Sequence, residues 1–446
     1  MVVRVLLIDP PNHYLRSLMN SVQVHPLALG YLAAWLSPEH DVLQLVCDVR
    51  PRREDDEDAW EEIAAAIGSA KPDVVGISAV TATFPSALAV ARCVKRVCGH
   101  DVVVVLGGVH ATFRPMDAFS EPAIDYVVHG EGEQTMSELL GRLENGQAAD
   151  GLPGLYWRDS GGQVCAGPPR APLDDLDLLP FPKRDGVLWA EHIEPAFYQS
   201  VITVRGCPYK CIYCSVPNTS DRKTRYRSAS NVADEVSSLI ERHRIPYLFF
   251  HDSVFTLNRR RTLALCSVFA ERNIEVPFAI QTRADRVDEA LLDALAEAGC
   301  HQIFFGIESG DLETLRLMKK KMSLETIRTA VEATRRRGIR CTGFFMVGFP
   351  WETEAHIART EAFSTELGLD AISLFSATPL PGTELWDMVD EATVPNSIDF
   401  RAPEINLTAM SPERYEAIFE RFKARVTAYN QEQLGVGGLT GHWPRG

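Results

Sequence analysis

Long apolar runs, an excess of basic charge and internal repeats are all missing from this sequence. No run of about 18 apolar residues, the length that a membrane-spanning helix needs, occurs, so we expect no membrane partner. The N-terminus opens with a short Val/Leu/Ile strand pattern instead of a charged-then-apolar leader, which favours a cytoplasmic protein. The formal net charge of −15 argues against general binding to nucleic acid, and the one basic run, residues 221–227, predicts a solvated loop.

Cysteine is present, but not in the pattern of a disulfide framework. A long cytosolic chain with ten cysteines points instead to metal binding, which only their spacing can decide. Three are clustered between residues 207 and 214, and no second group exists, so we expect no auxiliary cluster. The other seven stand mostly in apolar runs, where a thiol packs as a small hydrophobe: Cys47, Cys93, Cys98, Cys165, Cys266, Cys300 and Cys341.

Residues 1–147 alternate strand-like and amphipathic stretches, which predicts a doubly wound, Rossmann-like α/β domain. Its strands are predicted at 2–8, 42–47, 73–78, 102–106 and 126–128, and its helices near 27–36, 59–67, 86–97 and 135–143. Such a sheet binds ligands beyond the carboxyl ends of its strands. The candidate binding residues stand in the polar and Gly-rich loops at those ends: Ser78, Thr81, Gly107, Gly108, His110, Thr112, Gly130, Glu131 and Gly132.

The rest of the chain predicts a linker, a second α/β domain and a tail. Residues 148–198 are rich in Gly and Pro and carry a hairpin signal at 159–162. Residues 199–390 predict six strand-helix units, too few for a closed eight-stranded barrel, so a partial (β/α)6 barrel fits best. Its strands are predicted at 199–205, 247–251, 277–282, 302–307, 340–347 and 371–377. Residues 391–446 form a C-terminal segment with a helix predicted near 412–429.

The clustered cysteines follow the first barrel strand as Cys207, Cys211 and Cys214, at offsets of four and three. Three thiolates can hold three irons of a cubane cluster and leave the fourth iron open for a chelating ligand. The alternative, a structural zinc site, would need a fourth Cys or His close by. None follows Cys214 at similar spacing, so the spacing favours the cluster.

The pattern Cys-x-x-x-Cys-x-aromatic-Cys resembles the signature of the radical SAM superfamily. The resemblance implies that Cys207, Cys211 and Cys214 are the catalytic, metal-binding residues and that S-adenosylmethionine (SAM) chelates the open iron at the top of a partial barrel. It also implies that Tyr213 lies near the adenine of SAM. Later strand ends resemble further SAM-binding segments of the family: Asp252 for the methionine amino group, Arg283 for the carboxylate, Glu308 for the ribose, and Gly343 and Gly348 along the adenine.

The first domain resembles the cobalamin-binding domain that precedes the barrel in one large radical SAM subfamily. The resemblance is carried by the segments 26–33, 107–112 and 130–133. Glycines would let the backbone approach the corrin, and hydroxyl groups could bind its amides and phosphate. The Asp-x-His-x-x-Gly motif that places a histidine on cobalt is absent, so His13 is only a weak candidate ligand, and His110 is expected to line the corrin pocket or cap a helix.

These resemblances imply a cobalamin-dependent radical SAM methyltransferase. It would cleave SAM reductively to a 5′-deoxyadenosyl radical and methylate an unactivated carbon, or a phosphorus, of a small-molecule natural-product precursor. An external one-electron reductant such as flavodoxin or ferredoxin would be its partner. The alternative is a rearrangement, cyclisation or dehydration on the same cofactors. A tRNA methylthiotransferase and a non-catalytic cobalamin or electron-transfer protein fit less well, because the former's extra cysteines are absent and the latter needs no SAM pocket.

Overall fold

The computed structural model describes residues 2–12, 24–49, 57–391, 394 and 398–434. The described residues divide into two compact units, which meet in sequence between Phe197 and Tyr198. No helix among them is both long and apolar enough to span a lipid bilayer.

The first unit is built on one seven-stranded sheet with the strand order β2-β1-β3-β4-β5-β6-β7. Strands β1 to β5 are parallel, as predicted, and the antiparallel hairpin β6–β7 extends the sheet. Its strands are β1 (Arg4–Asp9), β2 (Asp41–Val46), β3 (Val74–Ser78), β4 (Val103–Gly107), β5 (Tyr126–Val128), β6 (Leu155–Arg158) and β7 (Val164–Ala166). Its helices are α1 (Leu27–Leu36), α2 (Glu57–Ala70), α3 (Phe84–Cys98), α4 (Val109–Phe113), α5 (Pro115–Ala118) and α6 (Glu133–Glu144).

Both faces of the parallel sheet are covered, which accounts for the continuous Val/Ile/Leu runs of its strands. On β1, Leu6 and Ile8 belong to one buried hydrophobic cluster, whereas Val5 and Leu7 belong to the other. The hairpin arises in the segment that composition marks as a linker. The Asp159 carboxylate accepts hydrogen bonds from the N–H groups of Gly161 and Gln163 and thereby closes the turn between β6 and β7.

The second unit is a six-stranded, all-parallel sheet with the order β15-β14-β13-β12-β11-β8, the partial barrel that the sequence predicts. Strands β9 and β10 form a separate antiparallel pair. The strands are β8 (Ser200–Val201), β9 (Val204–Arg205), β10 (Arg225–Tyr226), β11 (Leu248–Phe250), β12 (Phe278–Thr282), β13 (Cys300–Glu308), β14 (Arg340–Val347) and β15 (Ala371–Ser376). The helices are α7 (Val216–Thr219), α8 (Ala229–His243), α9 (Arg259–Glu271), α10 (Glu289–Glu297), α11 (Leu312–Leu317), α12 (Leu324–Arg335), α13 (Glu354–Glu366) and α14 (Pro412–Leu434).

Residues of the barrel strands alternate between two faces. On β13, Ile303, Phe305 and Ile307 are fully buried in the hydrophobic cluster that also contains the apolar side chains of the surrounding helices. Successive strand residues point to opposite faces. Phe304 and Gly306 therefore lie on the other, inner face of the curved sheet, where they are partly exposed.

The terminal helix α14 packs along β15, an edge strand of the sheet order. The Asn430 side-chain amide donates to the Ile372 carbonyl and accepts from the Ile372 N–H, with both distances 2.8 Å. The buried Tyr415 hydroxyl of the same helix donates to the Val347 carbonyl at 3.2 Å. The helix thus binds the backbone of the last two barrel strands through buried polar side chains.

Candidate active site

The three clustered cysteines lie on one loop that leaves β9 at Arg205. Cys207 is buried, Cys211 and Cys214 are partly exposed, and all three are free thiols. Gly206 opens the loop with φ +94°, and a Cβ atom there would stand 2.0 Å from the Lys223 carbonyl oxygen, so only glycine fits this close approach. The antiparallel pairing of Arg205 with Arg225 fixes the start of the loop.

The chemistry of this donor set fits an iron-sulfur cluster. Burial raises the pKa of Cys207, and burial together with the neighbouring Cys211 and Cys207 raises the pKa of Cys214 to about 12. Thiolates at these two buried positions therefore need compensating cations, which the irons of a cluster supply. In the described part of the chain, no three His, Cys, Asp or Glu side chains are grouped to hold a metal ion. Thiolates that bind three different irons stand farther apart than ligands of one ion.

Asp252 lies directly behind the strand that leads into the cysteine loop. Its carboxylate is fully buried and accepts from the backbone N–H of Thr203 at 2.7 Å and of Val204 at 3.0 Å, and from the Thr203 hydroxyl. These bonds replace sheet pairing at Thr203, which is why the strand predicted at 199–205 is divided into β8 and β9. The structure thus shows Asp252 in contact with the cysteine-loop strand, and its contact with SAM stays a prediction.

The Arg283 side chain has one buried hydrogen-bond donor that a ligand could bind. Its guanidinium pairs with Asp285 at 2.8 and 2.9 Å, donates to the Lys320 carbonyl at 2.7 Å, and lies 4.0 Å above the centre of the Tyr209 ring. Its Nη1 atom is buried and has no hydrogen-bond partner among the described residues. A buried charged donor without an acceptor is costly, so the carboxylate of SAM is a fitting partner for Nη1.

Glu308 ends β13 in a left-handed conformation, with φ +71°, at a register shift between β13 and β14. Its Oε1 accepts from Lys320 Nζ at 2.8 Å, and the same ammonium lies 3.4 Å from the hydroxyl of Tyr213 on the cysteine loop. Burial, and then the negative charge of Glu308, raises the pKa of Tyr213, so this hydroxyl stays protonated. The structure brings the predicted residues Glu308 and Tyr213 together around Lys320.

Three residues of this region were missed from the sequence. Lys320 is one of three consecutive lysines, and nothing in that run distinguishes the buried one. No role was predicted for Tyr209, although Arg283 and Arg286 both lie against its ring. Glu352 follows the predicted adenine segment, and its carboxylate accepts from Gly348 N at 2.6 Å and Phe349 N at 3.0 Å.

The predicted adenine-side glycines are both explained by packing. A Cβ atom on Gly343 would stand 2.6 Å from Leu369, on the helix-facing side of β14. Gly348 has φ +100°, and a Cβ atom there would meet the Tyr415 hydroxyl at 2.1 Å. Whether either residue also runs along the adenine stays a prediction.

At the carboxyl edge of the first sheet, the loops after β3, β4 and β5 are joined by hydrogen bonds. The Thr112 hydroxyl donates to the Gly108 carbonyl at 2.9 Å and accepts from the Gly130 N–H at 3.1 Å. Gly108 has φ +96°, and a Cβ atom there would stand 2.5 Å from the Ala79 carbonyl oxygen. Gly130 has φ +81° and open space beside it. Gly107 pairs in register with Ser78, and Glu131 and Gly132 lead into α6.

His110 is enclosed by protein groups at this edge. Its ring stacks on Phe84 with centroids 3.9 Å apart, Nδ1 lies 3.3 Å from the Thr81 hydroxyl, and Nε2 lies 3.5 Å from Asp117. Burial lowers the pKa of His110 to about 4, so the ring is neutral. His13, the weak candidate for a cobalt ligand, lies outside the described residues.

Two large apolar side chains are exposed beside these loops. Val80 is 46% exposed and Val109 is 38% exposed. Val80 follows Ala79 and Val109 precedes His110, and the Ala79 carbonyl accepts from the His110 N–H between the β3 and β4 loops. Apolar contacts beside open glycine backbone and hydroxyl groups suit a large ring system that carries polar amides. The edge therefore fits a corrin.

Family models match both units. The B12 binding domain matches residues 21–140, and the radical SAM superfamily matches residues 201–364. The chain is 32% identical over 388 residues to an uncharacterized methyltransferase of Pyrococcus horikoshii, an alignment that covers 86% of this chain and 83% of the relative. The chain belongs to the cobalamin-dependent radical SAM enzymes. As a member of this enzyme family it uses a four-iron cluster, SAM and cobalamin, which confirms the predicted cofactors.

Other proteins that are similar to this chain differ from one another in activity. The cytidylyl-2-hydroxyethylphosphonate methyltransferase of Streptomyces wedmorensis is 28% identical over 433 residues, covering 86% of this chain and 80% of the relative. The anaerobic magnesium-protoporphyrin IX monomethyl ester cyclase of Rubrivivax gelatinosus is 28% identical over 423 residues, covering 92% of this chain and 74% of the relative. The solved structure of the radical SAM methyltransferase TsrM from Kitasatospora setae, with cobalamin and a [4Fe-4S] cluster bound, has a TM-score of 0.72 and 21% identity over 86% of this chain and 74% of that chain. This last likeness shows the fold.

Proposed function

We propose that this enzyme methylates an unactivated carbon, or a phosphorus, of a small-molecule natural-product precursor. The observation that carries the proposal is the 32% identity to a methyltransferase across 86% of the chain. The cytidylyl-2-hydroxyethylphosphonate methyltransferase and a structure of TsrM with tryptophan substrate add support for small substrates. The two electrons required for each methylation would come from an external one-electron reductant such as flavodoxin or ferredoxin.

When bound, the cofactors supply reductive cleavage of SAM and a carrier for the methyl group. The chain's own residues then have distinct tasks. Cys207, Cys211 and Cys214 hold the cluster, and Arg283 offers its unpaired Nη1 to the SAM carboxylate. Lys320 holds Glu308 in place for the ribose hydroxyls.

The products of the proposed reaction balance. Two electrons from the external reductant are needed. One SAM, with one of these electrons, supplies the methyl group and leaves as S-adenosylhomocysteine. A second SAM takes up the other electron and one hydrogen atom from the substrate, and leaves as methionine and 5′-deoxyadenosine. Each methylated product is therefore accompanied by one molecule of each adenosine by-product.

Rearrangement, cyclisation or dehydration is the second candidate, favoured by the 28% identity to the magnesium-protoporphyrin cyclase. The two candidates separate when the enzyme, a reductant and SAM with a trideuterated methyl group are incubated anaerobically with a small-molecule extract of the organism that encodes it. Methyl transfer predicts a product heavier by the label, with S-adenosylhomocysteine and 5′-deoxyadenosine. Formation of 5′-deoxyadenosine alone, with an unlabelled product, would favour the second candidate. The control is the enzyme in which all three cluster cysteines are replaced by alanine.

A further inference from the structure

A row of four phenylalanine rings crosses the inner face of the partial barrel. Phe249 on β11 lies against Phe304 on β13 with ring centroids 5.4 Å apart. Phe304 stacks on Phe344 of β14 at 5.6 Å, and Phe344 meets Phe375 of β15 edge-on at 5.8 Å. These separations lie within the range of favourable aromatic pairs, so the four rings form one continuous apolar surface.

The row is separate from the hydrophobic core of the barrel. Its four rings are partly exposed, whereas the adjacent strand residues Phe250, Phe305 and Phe345 are buried in the helix-facing cluster. Folding alone would favour burial of these rings, since each exposed aromatic face forgoes hydrophobic stabilisation. A contiguous apolar surface inside a concave sheet is typical of a ligand site.

Two buried polar residues lie next to the row on the same face, towards the amino ends of the strands. One layer towards the amino ends of the strands, Gln302 donates to the Thr342 hydroxyl at 2.9 Å, and both side chains are buried. That pair lies below Phe304 and Phe344, two residues nearer the amino end of each strand. The row is therefore the floor of the partly exposed region above it.

Towards the carboxyl ends of the strands, the row borders the residues predicted to bind SAM. Gly306 is the next inner-face residue after Phe304, about 7 Å along the strand, and it pairs in register with Phe344. A Cβ atom on Gly306 would stand 2.7 Å from Glu308 Oε1 and 2.9 Å from Lys320 Nζ. The aromatic floor and the Glu308–Lys320 pair are thus neighbouring layers of one face.

We propose that this enzyme acts on a substrate with an apolar, aromatic or fused-ring body, which packs against Phe304 and Phe344. The proposal rests on the proposed function and names its substrate class. A ring on this floor would lie next to the layer of Glu308 and Lys320, the residues predicted to hold the ribose of SAM. Phe249 and Phe375 would extend the contact on either side.

Indole, a fused aromatic ring without charge, is a suitable probe for equilibrium dialysis with the reconstituted holoenzyme. Phe304→Leu and Phe344→Leu keep apolar volume but remove the ring, and each should weaken indole binding about two- to tenfold, the usual worth of an aromatic pair. Leu178→Ala, at a side chain 65% exposed in the first unit, is the control and should bind indole like the wild type. Iron and cobalamin contents report whether each variant is folded.

Two results would overturn the assignment. In the first, the wild type shows no saturable indole binding. In the second, both leucine variants bind indole as tightly as the wild type, and a loss of SAM affinity in those variants would assign the row to the adenine of SAM. Indole binding does not depend on methyl transfer. Unlabelled product with intact indole binding would therefore contradict the proposed function alone, and label transfer without indole binding would contradict the substrate class alone.

Discussion

Lys320 and Glu308 form a buried ion pair, with Nζ 2.8 Å from Oε1, at the carboxyl end of β13. The ammonium also reaches the Tyr213 hydroxyl on the cysteine loop, so one lysine joins two segments that are separated by nearly a hundred residues in sequence. Removal of one partner leaves the other charge buried without compensation.

Replacing Lys320 with Met should weaken SAM binding about ten- to a hundredfold, because Glu308 would no longer be held in place for the ribose. The charge-assisted hydrogen bond expected between Glu308 and the ribose contributes about 1.5–3 kcal/mol. Glu308→Ala should have an effect of similar size. Lys319→Met is the matched control, since Lys319 forms an exposed pair with Glu384. Calorimetric titration with SAM measures the dissociation constants. Unchanged affinity in both Lys320→Met and Glu308→Ala would show that the pair does not hold SAM.

Replacing Cys207, Cys211 and Cys214 together with Ala should reduce the iron content of the reconstituted enzyme from about four atoms per chain to background. Formation of 5′-deoxyadenosine should stop with it. Cys165→Ala removes a partly exposed thiol on β7 and should leave both measurements unchanged. Near-normal iron together with continued 5′-deoxyadenosine formation in the triple variant would refute the assignment of the cluster ligands.

Gly108→Trp should abolish stoichiometric cobalamin binding. The first side-chain carbon would already collide with the Ala79 backbone at 2.5 Å, so the loops after β3 and β4 must separate. Gly146→Ala is the control for conformational strain, because Gly146 also has positive φ, +62°, but open space around it. The absorbance of bound cobalamin after gel filtration gives the stoichiometry. Full cobalamin in Gly108→Trp would place the corrin elsewhere.

Glu352 should make the stability of the enzyme depend on pH. Burial raises its pKa from 4.5 to about 7, so the fold favours the protonated acid. This contribution is complete below pH 4.5 and is lost as the pH rises towards 7. Glu352→Gln cannot ionise, and between pH 5 and pH 8 it should gain about 2.5 kcal/mol relative to the wild type.

Anaerobic urea unfolding at the two pH values measures that gain, with Glu416→Gln on the exposed side of α14 as the control. Parallel pH profiles for the wild type and Glu352→Gln would show that Glu352 stays ionised in the folded enzyme.

Most of the strand and helix positions follow from local pattern in the sequence. The predicted strand at 340–347 coincides with β14, and the helix predicted at 27–36 coincides with α1, because apolar periodicity and strand-end glycines act over a few residues. A hairpin was predicted at 159–162, within the linker, but its pairing with β5 is a contact between distant segments that composition does not encode.

Site residues that are close together in sequence could be predicted from their spacing. Residues that meet only in the folded chain were harder to predict. The three cysteines are close in sequence and could be named together. The burial of Lys320 between its exposed lysine neighbours depends on Arg283, Tyr213 and Glu308, which converge only in three dimensions. Asp252 was chosen for its position after a strand, while the structure shows its carboxylate bonded to Thr203 and Val204.

The amide of Asn430 carries a consequence for how the barrel ends. An edge strand normally presents unpaired N–H and C=O groups that invite another chain to add a strand. At Ile372 both groups are already occupied by one helical side chain, which imitates the pairing that a seventh strand would make. Asn430 and the helix that carries it therefore end the sheet at β15, since a strand of another molecule would find no free N–H or C=O group at Ile372.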